Sequence, residues 1–472
     1  NIEYSELICR SNFSFLKSGS SPEEIIERAK YLGYKSIAIT DEVSVAGLVR
    51  AYKTAKQNNI KLIYGSQFWI REKKSSLFFN LVLLVKNKIG WQELCKLITK
   101  ARGRSEKNFY HLTTKSIRPK DVENCFALLL LPSSPSLELK KLQNILHWLK
   151  NSFQCRALAY SNNLEARTPI CQRKLLEFSN ENDIRVTATS NVCISQKSLK
   201  PLLDVLTSIR LGIPLHRCGY RISKNSEQYL REKKTLSNLY LDTFLRNSIC
   251  IENECNFSLD EITYKYPANL APKNVNNGQW LKYLVKKGLK KRMGINNQEK
   301  VPIRIFRQIS NELKIISKMK YECYFLTVYD IVAFARSRNI LCQGRGSAAN
   351  SAVCYYLGIT EVDPAKSNML FARFLSEERN EPPDIDIDFE HKKREQVIQY
   401  IYKRYGLTRA ALTASTITYK KKSAIRDVGK SLEIPADLIE KFSLSFYWEK
   451  EKFIKSKNIK IFIQNNFSQI VR

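Results

Sequence analysis

The sequence predicts a multidomain α/β protein, on three observations. A chain of 472 residues exceeds one ordinary core and suggests roughly two to four domains. Its first third alternates apolar strands with amphipathic helices, the pattern of an α/β layer or barrel. A second compact region, with its own strand, turn and helix, begins near residue 309.

The elements of the first third carry clear local signals. Ser21 can cap a helix, Pro22 suits its first turn, and Glu24 completes a capping box. The next segment, "KSIAITD", predicts a buried strand with Asp41 at its carboxyl end. Further elements follow as "GLVRAYKTAKQNN" (helix), "KLIYGSQFWI" (strand) and "SLFFNLVLLVKN" (strand). In such folds the loops after the strands hold the chemistry. Residues 230–307 are helical in pattern, basic and less regular, so we expect a connector there.

The charge of the chain is strongly positive. It has 78 Lys and Arg against 45 Asp and Glu, a formal charge of +33. Such a surface attracts polyanions, of which nucleic acid is the commonest. An AT-rich genome, whose codons favour Lys, Asn and Ile, is an alternative explanation. Hydrophobic residues make up 43% of the chain, which excludes a disordered basic tail.

The remaining composition indicates a cytoplasmic protein without a membrane span. The twelve cysteines include no CxxC pair and are read as reduced thiols. No stretch approaches the roughly 20 apolar residues of a transmembrane helix. No signal segment follows Asn1, and we expect that both ends of the chain differ from the native ends.

The stretch "EPPDIDIDFEHKKR" concentrates acid in this basic chain. In a strand, Asp384, Asp386 and Asp388 share one face, with neighbouring carboxylates only ~7 Å apart. Like charges this close repel unless a cation intervenes. Oxygen ligands suit Mg²⁺, and two such ions can catalyse phosphoryl transfer. The alternative is a solvent-exposed edge strand whose Asp388 caps the helix that follows.

The segment "NILCQGRGSAANSAVCYYLG" reads as a strand, a tight turn and a helix. Gly344, Gly346 and Ser347 lie at the turn, and Arg345 adds positive charge. Small residues let the backbone approach a ligand, and the helix amino terminus is expected to offer N–H groups to phosphate. A phosphate cradle beside an acidic strand is the layout of a nucleotidyl transferase.

A basic cluster follows the acidic strand in "ASTITYKKKSAIRDVGKSL". It is either a solvated helix face or a contact with a triphosphate or a template backbone. Its members are Lys420, Lys421, Lys422 and Arg426.

These motifs together resemble family C DNA polymerases, the bacterial replicative alpha-subunit family, and most closely their error-prone branch. The residues that carry the resemblance are "SNFSFL", "AITDE", "YFLTVYDIVAFAR", "LCQGRGSAANSAVCYYLGIT", "RNEPPDIDIDFEH" and "SAIRDVGK". The resemblance implies a barrel-like polymerase-and-histidinol-phosphatase (PHP) domain over residues 1–265. It further implies a polymerase-beta-like palm over 266–431 and the start of a helical thumb over 432–472.

The resemblance also assigns roles to residues. Asp384 and Asp386 match two of the three aspartates that hold two catalytic Mg²⁺ ions in the family's palm. Gly346 and Ser347 match the turn that holds the incoming triphosphate. Lys422 and Arg426 match basic positions near the junction of palm and thumb. The third aspartate and the fingers are expected downstream of residue 472.

The amino-terminal domain departs from the metal-binding form of its family. The expected HxH positions are Ile8 and Arg10, TDH reads Thr40-Asp41-Glu42, the next Glu is Gln67, and a later DxH has Asn191 and Cys193. The whole chain has only four histidines, which are His111, His147, His216 and His391. We therefore expect no metal, no phosphoesterase activity and no proofreading in this domain, which would serve as a scaffold.

The resemblance implies an error-prone DNA-directed DNA polymerase acting in damage-induced mutagenesis and translesion synthesis. It would add dNTPs to a primer 3′-hydroxyl, with a sliding clamp and accessory mutagenesis proteins as partners through regions absent here. With two of three aspartates, this chain is expected to be inactive alone, as a fragment of a polymerase or as a truncated remnant that only binds nucleic acid. A phosphoesterase is the third, weaker hypothesis.

Overall fold

A computed structural model describes most of the chain in two compact units. The described residues are 3–72, 78–103, 105–106, 109–131, 139–164, 172–267, 270–294, 301–363, 371, 374–375, 383–413 and 415–448, without the side chains of 139–141 and 444–448. The first unit holds the described residues of 1–262 and 416–448, and the second holds those of 263–415. The predicted domain boundaries at 265 and 431 stay predictions.

The secondary structure is mixed. The helices are α1 (Pro22–Tyr31), α2 (Leu48–Asn58), α3 (Lys88–Gly103), α4 (Leu139–Ser152), α5 (Gln172–Glu181), α6 (Lys200–Leu211), α7 (Lys233–Leu239), α8 (Asp242–Glu254), α9 (Asn277–Met293), α10 (Ile303–Lys318), α11 (Glu322–Ser337), α12 (Ala352–Tyr356), α13 (Arg394–Tyr405), α14 (Lys421–Ser431) and α15 (Ala436–Trp448). The strands are β1 (Ser36–Glu42), β2 (Lys61–Arg71), β3 (Phe78–Val85), β4 (Cys125–Leu130), β5 (Arg156–Tyr160), β6 (Arg185–Ala188), β7 (Cys342–Arg345) and β8 (Asp386–Phe389).

The first unit is built on a six-stranded sheet in the order β1-β2-β3-β4-β5-β6. β1 and β2 are parallel, as are β4, β5 and β6, whereas β3 runs antiparallel to both of its neighbours. The amino-terminal segment bridges the two edges, because Glu6 pairs with Ile37 and Cys9 pairs with Val192. The sheet is therefore curled toward a barrel, which confirms the predicted fold class.

Burial explains why the sheet strands read as unbroken apolar runs. β1 and β4 are buried along their whole length, as strands covered on both faces must be. Alternate side chains fill two cores, with Ile37 and Ile39 in one and Ala38 in the other. The predicted capping box of α1 is present, since Ser21 and Glu24 exchange hydrogen bonds of 2.7 and 3.2 Å.

The second unit pairs a small sheet with helices. β7 and β8 form an antiparallel pair, and α9 to α12 share one apolar core. The expected connector over residues 230–307 is wrong. Phe244 and Leu245 of α8 are buried in the first unit, and Leu281 and Leu284 of α9 are buried in the second, so both halves of this stretch are core elements. Among the described helices, none is long and apolar enough to cross a membrane.

Candidate functional site

The three aspartates lie along β8 and the residues just before it. Asp384, Asp386 and Asp388 are exposed, whereas the apolar residues between and after them are half-buried against the core. The pairing of β7 with β8 places Arg345 opposite Asp386. Neither Asp384 nor Asp386 has a side-chain hydrogen bond or ion pair to the described residues, so both carboxylates are available to a ligand.

The glycine turn packs directly against this acidic segment. Gly346 has φ +68°, and a Cβ there would stand 3.4 Å from Asp386 Oδ2. Ser347 Oγ donates a hydrogen bond of 3.0 Å to the backbone carbonyl of Asp384. The structure thus brings Arg345, Gly346 and Ser347 together with Asp384 and Asp386.

Asp388 has a different partner from the other two aspartates. Its Oδ2 lies 3.3 Å from Arg345 Nη1, with both side chains about two-thirds exposed. Such a surface pair stabilises a fold by only about 0–1 kcal/mol. The alternative of Asp388 as a helix cap is wrong, because α13 begins at Arg394 with Lys393 as its N-cap residue.

The amino terminus of α12 is already occupied by a buried carboxylate. Glu312 of α10 is 2% exposed and accepts hydrogen bonds from the N–H groups of Ala352 and Val353, both at 3.0 Å. Ser351 Oγ donates another at 2.9 Å. The expectation that these N–H groups are open to phosphate is therefore wrong. Burial raises the pKa of Glu312 more than these donors lower it.

Two residues of this site were missed at the sequence level. Glu312 lies between Ile309 and Ile316 on the buried face of α10, and an acid on an apolar helix face is a signal that could have found it. Tyr324 accepts a hydrogen bond of 3.2 Å from the Ile385 N–H through its phenol oxygen. Burial raises the pKa of Tyr324 to about 12, so the phenol stays neutral beside the aspartates. No sequence signal distinguishes Tyr324 from its aromatic neighbours.

The predicted basic residues belong to the other unit. Lys422 and Arg426 lie exposed on α14, and Arg426 Nε donates to Asp427 Oδ1 at 3.0 Å. The helix packs against α6 of the first unit, where the hydroxyls of Ser431 and Ser208 are 2.7 Å apart. The structure therefore does not bring Lys422 and Arg426 into the unit that holds the aspartates.

Asp41 and Glu42, which stand where the family has metal ligands, are engaged by other groups of the protein. Asp41 is buried and accepts hydrogen bonds of 2.7 Å from the Ser11 N–H and from the hydroxyls of Ser11 and Ser14. Glu42 forms an ion pair with Lys17 and accepts a bond from the Tyr110 hydroxyl. Burial is the main cause that raises the pKa of Asp41.

The other positions where the family has metal ligands carry a guanidinium, amides and a thiol. Arg10 Nη2 lies 3.3 Å from Asn191 Oδ1 and 2.7 Å from Cys193 Sγ, while Gln67 Nε2 donates to the Thr40 carbonyl at 2.7 Å. A guanidinium and an amide N–H are not metal ligands, so this donor set does not fit a multinuclear metal cluster. The described residues contain no group of three or more His, Cys, Asp or Glu side chains able to hold a metal ion.

Two protein families match separate parts of the chain. A PHP domain family matches residues 6–137, and the family described as "Bacterial DNA polymerase III alpha NTPase domain" matches residues 279–470. Among solved structures, an amidohydrolase from Chromobacterium violaceum aligns with a TM-score of 0.33 and 11% identity, over 41% of this chain and 88% of that one.

Curated relatives align along nearly the whole chain. The error-prone DNA polymerase of Ralstonia nicotianae is 42% identical over 459 residues, which cover 94% of this chain and 42% of that protein. The error-prone DNA polymerase of Methylococcus capsulatus is 44% identical over 430 residues, which cover 91% of this chain and 40% of that protein. The chain thus spans about two fifths of the length of these relatives. Residues 279–470 thus match the bacterial DNA polymerase III alpha family, and nearly the whole chain is similar to error-prone DNA polymerases.

Proposed function

We propose that this chain carries the nucleotide-binding part of an error-prone DNA-directed DNA polymerase that acts in damage-induced mutagenesis and translesion synthesis. The observation that carries the proposal is the packing of the Gly346–Ser347 turn against the backbone of Asp384 and the carboxylate of Asp386. Its domains would be the PHP-like domain at 1–265, the palm at 266–431 and the beginning of the thumb at 432–472. The site would act in the bacterial cytoplasm, where primed DNA and dNTPs are found.

The residues have separable roles in this reaction. Asp384 and Asp386 would hold two Mg²⁺ ions, which supply charge stabilisation for the attacking and leaving oxygens. Gly346 keeps the backbone close to the acidic segment, since a larger residue is strained at its positive φ. Ser347 ties the turn to Asp384, and Arg345 offers a guanidinium to the triphosphate. Lys422 and Arg426 would contact the triphosphate or the template backbone.

Primer extension by the full-length gene product tests the proposal. The Asp384→Asn and Asp386→Asn variants should each lose extension of a primed template by about a thousandfold or more. Asp388→Asn is the matched control on the same strand, and this variant should still extend the primed template. Extension that survives both substitutions would refute the assignment. DNA binding without any extension by the unmodified protein would instead favour the catalytically inactive remnant. The sliding clamp and accessory mutagenesis proteins remain proposed partners.

A further inference from the structure

A groove lies between α9 and α10 of the second unit. Its volume is about 920 Å³, and it is lined by residues of these two helices and by Val301 just before α10. None of the described residues that line it belongs to the glycine turn or to the acidic segment around β8. This α9–α10 groove is therefore separate from the site proposed for nucleotide binding.

The floor of the groove is apolar. Val285 and Leu289 of α9 and Ile309 and Leu313 of α10 line it, and each pair recurs at the four-residue spacing of one helix face. Phe306 lies one turn before Ile309 on the same face of α10 and is 62% exposed. Covering an apolar side chain as exposed as Phe306 is favourable, so the floor offers free energy to a partner with an apolar face.

Lysine side chains border this floor on both helices. They are Lys282, Lys286, Lys290, Lys314 and Lys318. No Asp or Glu is among the described lining residues, and Lys282, Lys286 and Lys314 form no ion pair with a described residue. Glu312, the acid of α10, is hydrogen-bonded to the start of α12 instead. The border of the groove is therefore complementary to a partner that carries negative charge.

The composition of the floor favours a protein partner over nucleic acid. Single-stranded nucleic acid is bound largely by aromatic rings on which its bases stack, and duplex DNA largely through its phosphates. Among the described lining residues, Phe306 is the one aromatic residue, beside aliphatic side chains from both helices. Aliphatic contact of this kind suits the apolar face of an amphipathic helix, which is a common occupant of a hydrophobic groove.

We infer that the α9–α10 groove docks an amphipathic helix of a partner protein, with aliphatic residues on one face of that helix and Asp or Glu beside them. The aliphatic residues would cover Phe306 and Leu313, and the carboxylates would pair with Lys286 and Lys314. The two helices have 17 and 16 residues and are about 25 Å long, which is enough to hold roughly four turns of a partner helix. The inference is independent of the reaction proposed for Asp384 and Asp386.

Fluorescence anisotropy with the purified chain, at about 0.15 M salt to screen the general surface charge, tests the inference. The probe is a dye-labelled peptide of about 18 residues, built from Leu, Ala and Glu with Leu at helical spacing on one face. A peptide of the same composition, permuted so that it has no apolar face, is the control. We expect saturable binding of the amphipathic peptide, about tenfold or more tighter than that of the permuted one. Equal binding of the two peptides would overturn the inference, because it would show only attraction to a basic surface.

Variants connect the binding to the groove. Phe306→Glu should weaken binding of the amphipathic peptide about tenfold or more, because it removes an apolar contact and places a carboxylate against the acidic peptide. Lys286→Glu should weaken it about threefold to tenfold by reversing one charge of the border. Both side chains are exposed, so neither substitution disturbs the core of the second unit.

Matched controls lie on the same two helices. Ile303 and Lys287 are exposed but do not line the groove, and Ile303→Glu and Lys287→Glu should bind the peptide as the unmodified chain does. Unchanged binding in both groove variants, an equal loss in the two controls, or no saturable binding of the amphipathic peptide would each overturn the inference. A single-stranded oligonucleotide that loses as much affinity as the peptide on Phe306→Glu would assign the groove to nucleic acid and would also overturn it.

Discussion

Two of the carboxylate pairs in this chain, Asp41 with Glu42 and Asp384 with Asp386, differ in which protein groups contact their oxygens. Asp41 and Glu42 are buried in the first unit, where serine hydroxyls and the Lys17 ammonium satisfy their oxygens. Asp384 and Asp386 are exposed in the second unit, and no described side chain pairs with their carboxylates. A carboxylate with protein partners contributes to stability, and one without such partners is free to bind a cation. The same residue types are thus satisfied by protein groups in one unit and left without described side-chain partners in the other.

The largest effect expected from this contrast is on stability. Replacing Asp41 with Ala leaves two buried hydroxyls and a backbone N–H without their acceptor, which should cost roughly 2–4 kcal/mol of unfolding free energy. Replacing exposed Asp384 with Ala should change it by less than about 0.5 kcal/mol. Denaturant unfolding of the three proteins measures both values. Equal destabilisation by the two substitutions would contradict the difference between the buried, hydrogen-bonded Asp41 and the exposed Asp384.

Metal affinity should show the opposite ranking. Asp386→Asn should weaken Mn²⁺ binding to the purified chain about tenfold, or about 1.4 kcal/mol, because one of two oxygen ligands loses its charge. Asp41→Asn should leave Mn²⁺ affinity unchanged, since that carboxylate is shielded by Ser11 and Ser14. Electron paramagnetic resonance of free Mn²⁺ provides the measurement, and a loss of affinity on the Asp41 substitution would contradict the structure.

A smaller effect concerns Glu312 and pH. Its pKa is raised above the usual 4.5 by burial, so the folded state binds this proton more tightly than the unfolded state does. Its contribution to stability is therefore full below about pH 4.5 and is lost as pH rises through the folded pKa. Hydrogen exchange at the Ala352 and Val353 amides should show this slope. Glu312→Gln should remove the slope, and a persisting slope would assign it to another group.

The smallest effect belongs to the exposed pair of Arg345 and Asp388. Asp388→Asn should lower stability by no more than about 1 kcal/mol, and added salt should reduce the difference further. Unfolding at low and high salt provides the measurement. A larger or salt-independent loss would show that Asp388 does more than form this surface pair.

Much of the fold and part of the site were predictable because their signals are local. The capping box of Ser21 and Glu24, the buried strand that ends near Asp41, and the alternation along β8 all depend on residues close in sequence. For the site in the first unit, the sequence predicted only that the family's metal ligands are missing. That Arg10 and Lys17 would line one cleft with Asn80 was not predictable, because Asn80 lies in β3, more than 60 positions after the amino-terminal segment that holds Arg10 and Lys17.

The sequence by itself determined the residue types and their faces, since side chains two apart on a strand point the same way whatever surrounds them. The tertiary structure decided which polar groups are satisfied. Glu312 reaches the amino terminus of α12 across 40 positions of the chain, and α14 packs on α6 although more than 200 residues separate Ser208 from Ser431. Such contacts depend on how whole helices pack. Helix packing therefore gives the N–H groups at the start of α12 a hydrogen-bond acceptor, Glu312. It leaves the carboxylates of Asp384 and Asp386 without a partner among the described side chains.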